Sequence, residues 1–160
     1  MTSHRSMLLA VLATAAMVAC AHATPPRTPT DADALYVARD VIGDGVFSAG
    51  IEGPAFGPDG ALYAVSFGRD GTIGQVTFDA DGAGRATLFT TLPEGSTGNG
   101  IRFGADGSMY IADYSGHHVL RIAPGQREAK VFAHMPQANQ PNDIALAPDG
   151  TLYASDPKWA

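Results

Sequence analysis

The chain has 160 residues, 45% of them apolar, enough for one ordinary domain with a real core. Its formal net charge of −6 excludes a nucleic-acid partner, because there is no basic stripe to neutralise phosphates. Nineteen glycines and eleven prolines spread along the chain suit the many tight turns of an all-β protein.

The chain opens on an export signal, assigned to residues 1–23. His4 and Arg5 give a short positive start, and residues 7–18 are apolar apart from Thr14. That run of twelve residues is too short for a bilayer, which takes about twenty. Cleavage is expected at one of two places. Ala21-His22-Ala23 is an A-x-A site, whereas Met17-Val18-Ala19-Cys20 resembles a bacterial lipobox whose cysteine is lipidated. Cys20 is the only cysteine, so no intramolecular disulfide can form, and a lone thiol in an oxidising compartment favours removal or acylation. The expected location is the periplasm or a lipid anchor in the bacterial envelope, with secretion as the alternative. Any membrane contact would then run through the lipid alone.

A Pro/Thr-rich linker occupies residues 24–33, and the propeller domain is assigned to residues 34–160. Residues 34–42 read as a strand that would complete a last blade. A sixteen-residue phrase then occurs three times, over residues 52–67, 99–114 and 142–157. Its copies align on Asp59-Gly60, Asp106-Gly107 and Asp149-Gly150, which stand 47 and 43 residues apart. Phe56, Phe103 and Leu146 lie three residues before each Asp, and Tyr63, Tyr110 and Tyr153 lie four after it. Periods of this size belong to propeller blades, and Asp-Gly between alternating apolar runs is a strong hairpin signal.

Blade one is expected as strands over 54–57, 61–67, 72–78 and 85–92, and blade two over 100–103, 108–113, 118–122 and 130–134. Blade three would hold a first hairpin from Asn142 onward. The expected fold is therefore all-β, a β-propeller of four-stranded antiparallel blades with about two and a half of a presumed six present. Since that number cannot close a ring, the sequence is expected to be a truncated gene or gene fragment.

Glu52, Asn99 and Asn142 share one place in the repeat, seven residues before the hairpin Asp. The first strand of each propeller blade lines the axial channel, so side chains at its head are expected to converge. One carboxylate and two amide carbonyls form an all-oxygen set suited to a hard divalent cation, calcium above all, and poor for zinc. The alternative is that these residues only cap turns through their own backbone.

Glu52-Gly53-Pro54 before a Pro-Asp-Gly hairpin, and Pro141-Asn142-Asp143 answered by Ser155-Asp156-Pro157, resemble the gluconolactonase, senescence-marker-protein and luciferin-regenerating-enzyme family of six-bladed propellers. The resemblance covers residues 51–159. It implies that Glu52 is a metal ligand and that Asn142 lies at the metal and substrate site. Asn99, Gln140 and Asp143 would line the channel. Gln140 stands where some sugar-lactone hydrolases of the family carry Arg, which leaves the sugar preference open. The family's catalytic Asp lies beyond the C-terminus, so no catalytic residue is assigned here. The implied reaction is metal-assisted opening of a small-molecule lactone or related ester, with this chain an inactive fragment.

The rival reading is a non-enzymatic exported propeller of the NHL-repeat kind, suggested by residues 110–122. The sequence leaves the oligomeric state open. His117-His118 reads as part of a turn, Asp79-Ala80-Asp81-Gly82 as a plain turn, and residues 95–100 as a loop leading into a strand. Asp113 and Asp156 read mainly as turn formers, the three tyrosines as packing between blades, and Ser66, Ser115 and Ser155 as lacking a nucleophile elbow.

Overall fold

The computed structural model describes residues 38–158; the export signal, Cys20 and the whole linker lie outside them. Ten strands follow in order: β1 (Ala55–Phe56), β2 (Leu62–Val65), β3 (Thr72–Phe78), β4 (Gly84–Thr91), β5 (Gly98–Phe103), β6 (Met109–Asp113), β7 (His118–Ile122), β8 (Lys130–His134), β9 (Ile144–Leu146) and β10 (Leu152–Ala154). They form two four-stranded sheets, β1-β2-β3-β4 and β5-β6-β7-β8, and the hairpin β9-β10, all antiparallel between neighbours in sequence. These are two propeller blades and the first hairpin of a third. Among the described residues there is no helix, and so none long and apolar enough to cross a membrane.

The three Asp-Gly signals make three copies of one turn. Asp59, Asp106 and Asp149 accept on Oδ1 from the backbone N–H two residues on, at 3.2, 3.0 and 2.9 Å. The glycine that follows each takes a positive φ of 78°, 80° and 86°, which a side chain would resist. Those N–H bonds hold the Asp106 and Asp149 carboxyls below the usual carboxylate range; for Asp106 the Ser108 hydroxyl and Arg121 add to the effect.

Strand alternation decides which way each side chain faces. Tyr63, Val65 and Ile73 of blade one meet Ile101, Met109, Ile111, Leu120 and Ile122 of blade two in a single core. Ile73, Ile101, Ile111 and Leu120 are fully buried, a gain of about 1.5–3 kcal/mol for each side chain. Tyr63 packs edge-on against Phe89 at 5.0 Å and against Phe103 of the next blade at 5.4 Å, as expected of an inter-blade residue. Burial and the hydroxyl's bond to Asp59 (2.8 Å) push its pKa up to about 12. A smaller cluster of Ala112, Val119 and Ile144, flanked by Tyr110, Ala133 and Leu152, joins blade two to β9-β10. Tyr153, in contrast, is exposed.

The strand expected over residues 34–42 is not found over the part described: residues 38–42 are irregular, and the rest lies outside the described residues. Residues 41–47 instead lie on the face of blade one that points away from blade two. Val41 and Ile42 cover Gly84, the Phe47 ring covers Gly74, and Phe47 forms a lone antiparallel bridge with Phe67. A side chain at Gly74 or Gly84 would displace these apolar groups. Contact through side chains has replaced a backbone ladder.

Candidate functional site

The heads of the inner strands β1, β5 and β9 adjoin one another through backbone. Gly53, at φ 58°, lies so close to the Asn99 carbonyl that a Cβ there would overlap it. The Gly100 N–H donates to the Asn142 carbonyl at 2.8 Å, and a Cβ on Gly100 would strike Asp143. Each head is also tied to its own blade or hairpin: the Val65 N–H donates to the Glu52 carbonyl at 3.2 Å, and the Asn142 N–H to the Ser155 carbonyl at 3.0 Å. The small residue after Glu52 and after Asn99 is therefore what lets successive blades meet here.

This row brings the residues at positions 52, 99 and 142 to one end of the described blades. Glu52 is exposed, and Asn99 and Asn142 are half-buried. Among the described residues none of these three side chains has a hydrogen-bond or ion-pair partner in the protein. A turn-capping role would engage those oxygens locally, and it does not occur. The donor set remains one carboxylate and two amides. An all-oxygen set of this kind suits a hard cation better than zinc, although no group of three or more His, Cys, Asp or Glu side chains able to hold a metal ion occurs among the described residues.

The other two channel-lining candidates are already engaged. Asp143 pairs with Arg102 of blade two, Nη2 to Oδ2 at 2.9 Å, and accepts from the Ile144 N–H at 2.8 Å. Gln140 donates its backbone N–H to Asp156 at 2.7 Å. Arg102 was not singled out in the sequence, and it brings a positive charge close to the row of heads.

Behind the heads stands a polar cluster that the turn-former reading understated. Asp113 is fully buried. It accepts from Ser96 Oγ at 2.7 Å, from the Thr97 and Gly116 N–H groups at 3.0 Å each, and meets His118 Nδ1 at 3.1 Å. Asp156 does the same work in the third hairpin, accepting from the Asn139 and Gln140 N–H groups at 2.8 and 2.7 Å. Those bonds hold its carboxyl below the ordinary range. In both cases an Asp, at the end of β6 or two residues past the end of β10, clamps the residues two and three positions before the head Asn. The signal was present, since Ser96-Thr97 and Asn139-Gln140 share repeat positions as the two aspartates do.

His117 does lie in the β6–β7 turn, with φ 57°. His118, however, begins β7, and its ring packs at a tilt against that of His134, 4.5 Å between ring centres. The Asp79 segment forms a turn, as expected, whereas β5 already begins at Gly98, inside the loop expected over residues 95–100.

No protein-family model matches the chain, and no curated protein matches it. Solved structures do. A virginiamycin B lyase from Staphylococcus aureus matches at TM-score 0.55 and 23% identity, over 66% of this chain and 34% of that one. A luciferin-regenerating enzyme matches at TM-score 0.54 and 18% identity, over 66% and 37%. A gluconolactonase from Xanthomonas campestris matches at TM-score 0.53 and 20% identity, over 66% and 34%. The chain thus spans about a third of the length of these proteins. At such identities the likeness is one of fold, and the fold is a β-propeller. Gluconolactonases and luciferin-regenerating enzymes, the relatives expected from the Glu-Gly-Pro and Pro-Asn-Asp motifs, are among the proteins that share it.

Proposed function

We propose that this chain is part of an exported hydrolase that opens a lactone, such as a sugar lactone, or a related ester at a divalent cation, calcium above all. The observation that carries this reading is the row of three unengaged oxygen donors at the heads of the inner strands. Glu52 and Asn142 would hold the cation, with Asn99, Gln140 and Asp143 along the channel wall. The presence of a gluconolactonase from Xanthomonas campestris and a 6-phosphogluconolactonase-like protein from Bacteroides uniformis among its fold relatives supports the choice of reaction. Because the chain spans only part of their length, hydrolysis is proposed for the whole protein, and no catalytic base is assigned within these residues.

When bound, the cation would polarise the substrate carbonyl and stabilise the oxyanion that develops on it. The chain's own residues would do the rest. Glu52 supplies the one full negative charge of the set. Asn142 adds a neutral oxygen whose backbone is fixed by Gly100 and Ser155. Arg102, held by Asp143, keeps that acid from adding a second free carboxylate.

Calorimetric titration of calcium into the chain tests the cation site directly. Glu52→Gln keeps the shape and removes the charge, so affinity should fall at least tenfold, about 1.4 kcal/mol. Equal affinity in the two proteins would overturn the assignment of Glu52. No heat with the unaltered chain would leave the non-enzymatic binding propeller as the better reading.

A further inference from the structure

His118 is the first residue of β7 and His134 the last of β8, and the two stand directly opposite each other in the register of that pair. Opposed residues of an antiparallel pair carry their side chains on the same face. Asp113, opposite His118 on its other side, shares that face, which Ile111 and Leu120 bury against blade one. The histidine pair therefore lies on the side of blade two turned to blade one, away from β9-β10.

The His118 ring is held as a metal-bound histidine is held. Its Nδ1 lies 3.1 Å from Oδ2 of the fully buried Asp113. An ionised carboxylate only accepts, so the ring proton sits on Nδ1 and the lone pair on Nε2, the nitrogen turned away from the acid. A carboxylate behind a histidine fixes the ring and makes its far nitrogen a better ligand. Gly116 makes room for the pair, since a Cβ there would overlap Asp113 Oδ2 and lie 2.7 Å from His118 Nδ1.

The second ring stands at the right spacing. The two ring centres are 4.5 Å apart, with planes at 59°. Imidazoles bound at right angles on one ion, each nitrogen about 2.0–2.1 Å from it, have ring centres about 4.5 Å apart. His134 is exposed, and its ring has no hydrogen-bond or ion-pair partner among the described residues, so it can turn a nitrogen to the ion without breaking a bond. His118 keeps 23% of its side chain open to solvent, so the ion can reach it.

We infer that His118 Nε2 and a ring nitrogen of His134 bind one divalent transition ion, of the zinc, copper and nickel class, with water in its remaining positions. Imidazole nitrogen suits these ions, whereas the oxygen donors at the strand heads suit calcium. Asp113 positions His118 and is not a ligand, since Ser96 and the Thr97 and Gly116 N–H groups already occupy its oxygens. His117 stands outside the ladder, in the turn at φ 57°, and is not a ligand either. The site shares no residue with the proposed calcium row, so either can fail without the other.

Zinc titrated into the full chain tests it, followed by calorimetry and by the ring-nitrogen NMR signals of the five histidines. His118 Nε2 and a ring nitrogen of His134 should shift, and the His117 signals should stay in place. His134→Gln should weaken binding at least about tenfold, the lower end of the loss on removing even an outer partner of a metal ligand. Its side chain is exposed, so the variant should keep the parent circular dichroism spectrum, which separates a lost ligand from lost folding. His117→Asn, which tolerates the left-handed turn, should bind zinc as the parent does. No binding by the parent, shifts confined to other histidines, full affinity in His134→Gln, or an equal loss in His117→Asn would each overturn the inference.

Discussion

Asp113 and Asp156 occupy the same place in the repeat and grip the same kind of loop, yet their surroundings differ. Asp113 is sealed off, with four groups converging on its carboxylate, whereas Asp156 is open to water. Removing a buried acceptor leaves each donor unpaired, and that loss exceeds the worth of the bonds themselves. Asp113→Ala should therefore cost about 3–5 kcal/mol, the range for breaking a buried charged network, read as a lower urea midpoint with an unchanged slope. Asp156→Ala should cost far less, because water can replace the lost partner. Equal losses at the two positions would mean that burial does not set the strength of this clamp. His118 and Ser96 should lose their fixed positions with Asp113, while Asn99, only one residue past the paired Gly98, should shift at the head of its strand.

The hairpins and the glycine seams are the elements that place the heads of the inner strands. Gly53 and Gly60 both have positive φ, 58° and 78°, but only Gly53 faces another blade. Gly60→Ala should cost about 1–2 kcal/mol, the ordinary left-handed penalty, because nothing lies near its missing Cβ. Gly53→Ala adds a collision with the Asn99 carbonyl, backbone against backbone, so the loss should exceed that of Gly60→Ala by about 1–3 kcal/mol. Matching urea midpoints for the two variants would show that the blades are not seated this closely. The same contrast explains what the sequence made readable. Asp-Gly hairpins act locally, and all three were placed from a dipeptide and its alternating flanks, as were β3, β7 and β8 to the residue. The close approach of Gly53 to Asn99 depends on two blades 46 residues apart and has no local mark. The same holds for Arg102 meeting Asp143, whose partners become neighbours only after the strands stack. The 38–42 segment was misread because Val41 and Ile42 looked like strand residues, whereas they are apolar contacts for Gly84 on an adjacent sheet face.

At the scale of the whole molecule, the two cores predict an order of opening. Blades one and two share one continuous apolar cluster that includes four fully buried branched side chains, so neither can lose its packing without exposing the other's. They should unfold as a single cooperative unit. The β9-β10 hairpin leans on a cluster with only three buried members, and it has two strands, fewer than an independently stable sheet needs. Its ties to blade two are the Gly100 N–H bond to Asn142 and the Arg102–Asp143 pair, which is exposed on both sides and adds under about 1 kcal/mol. Native-state hydrogen exchange should therefore find the β9-β10 amides opening first. Their protection should be at least tenfold lower, about 1.4 kcal/mol, than that of Val65, Ile73, Ile111 and Leu120. The last four should converge on one common opening energy as denaturant is added. Protection of β9-β10 equal to theirs would mean that the third hairpin is locked to the rest by more than the small cluster seen here. Calcium carries the same test to the row of heads. Bound between Glu52 and Asn142 it would cross-link blade one to the hairpin, and β9-β10 protection should rise with calcium in the unaltered chain but not in Glu52→Gln.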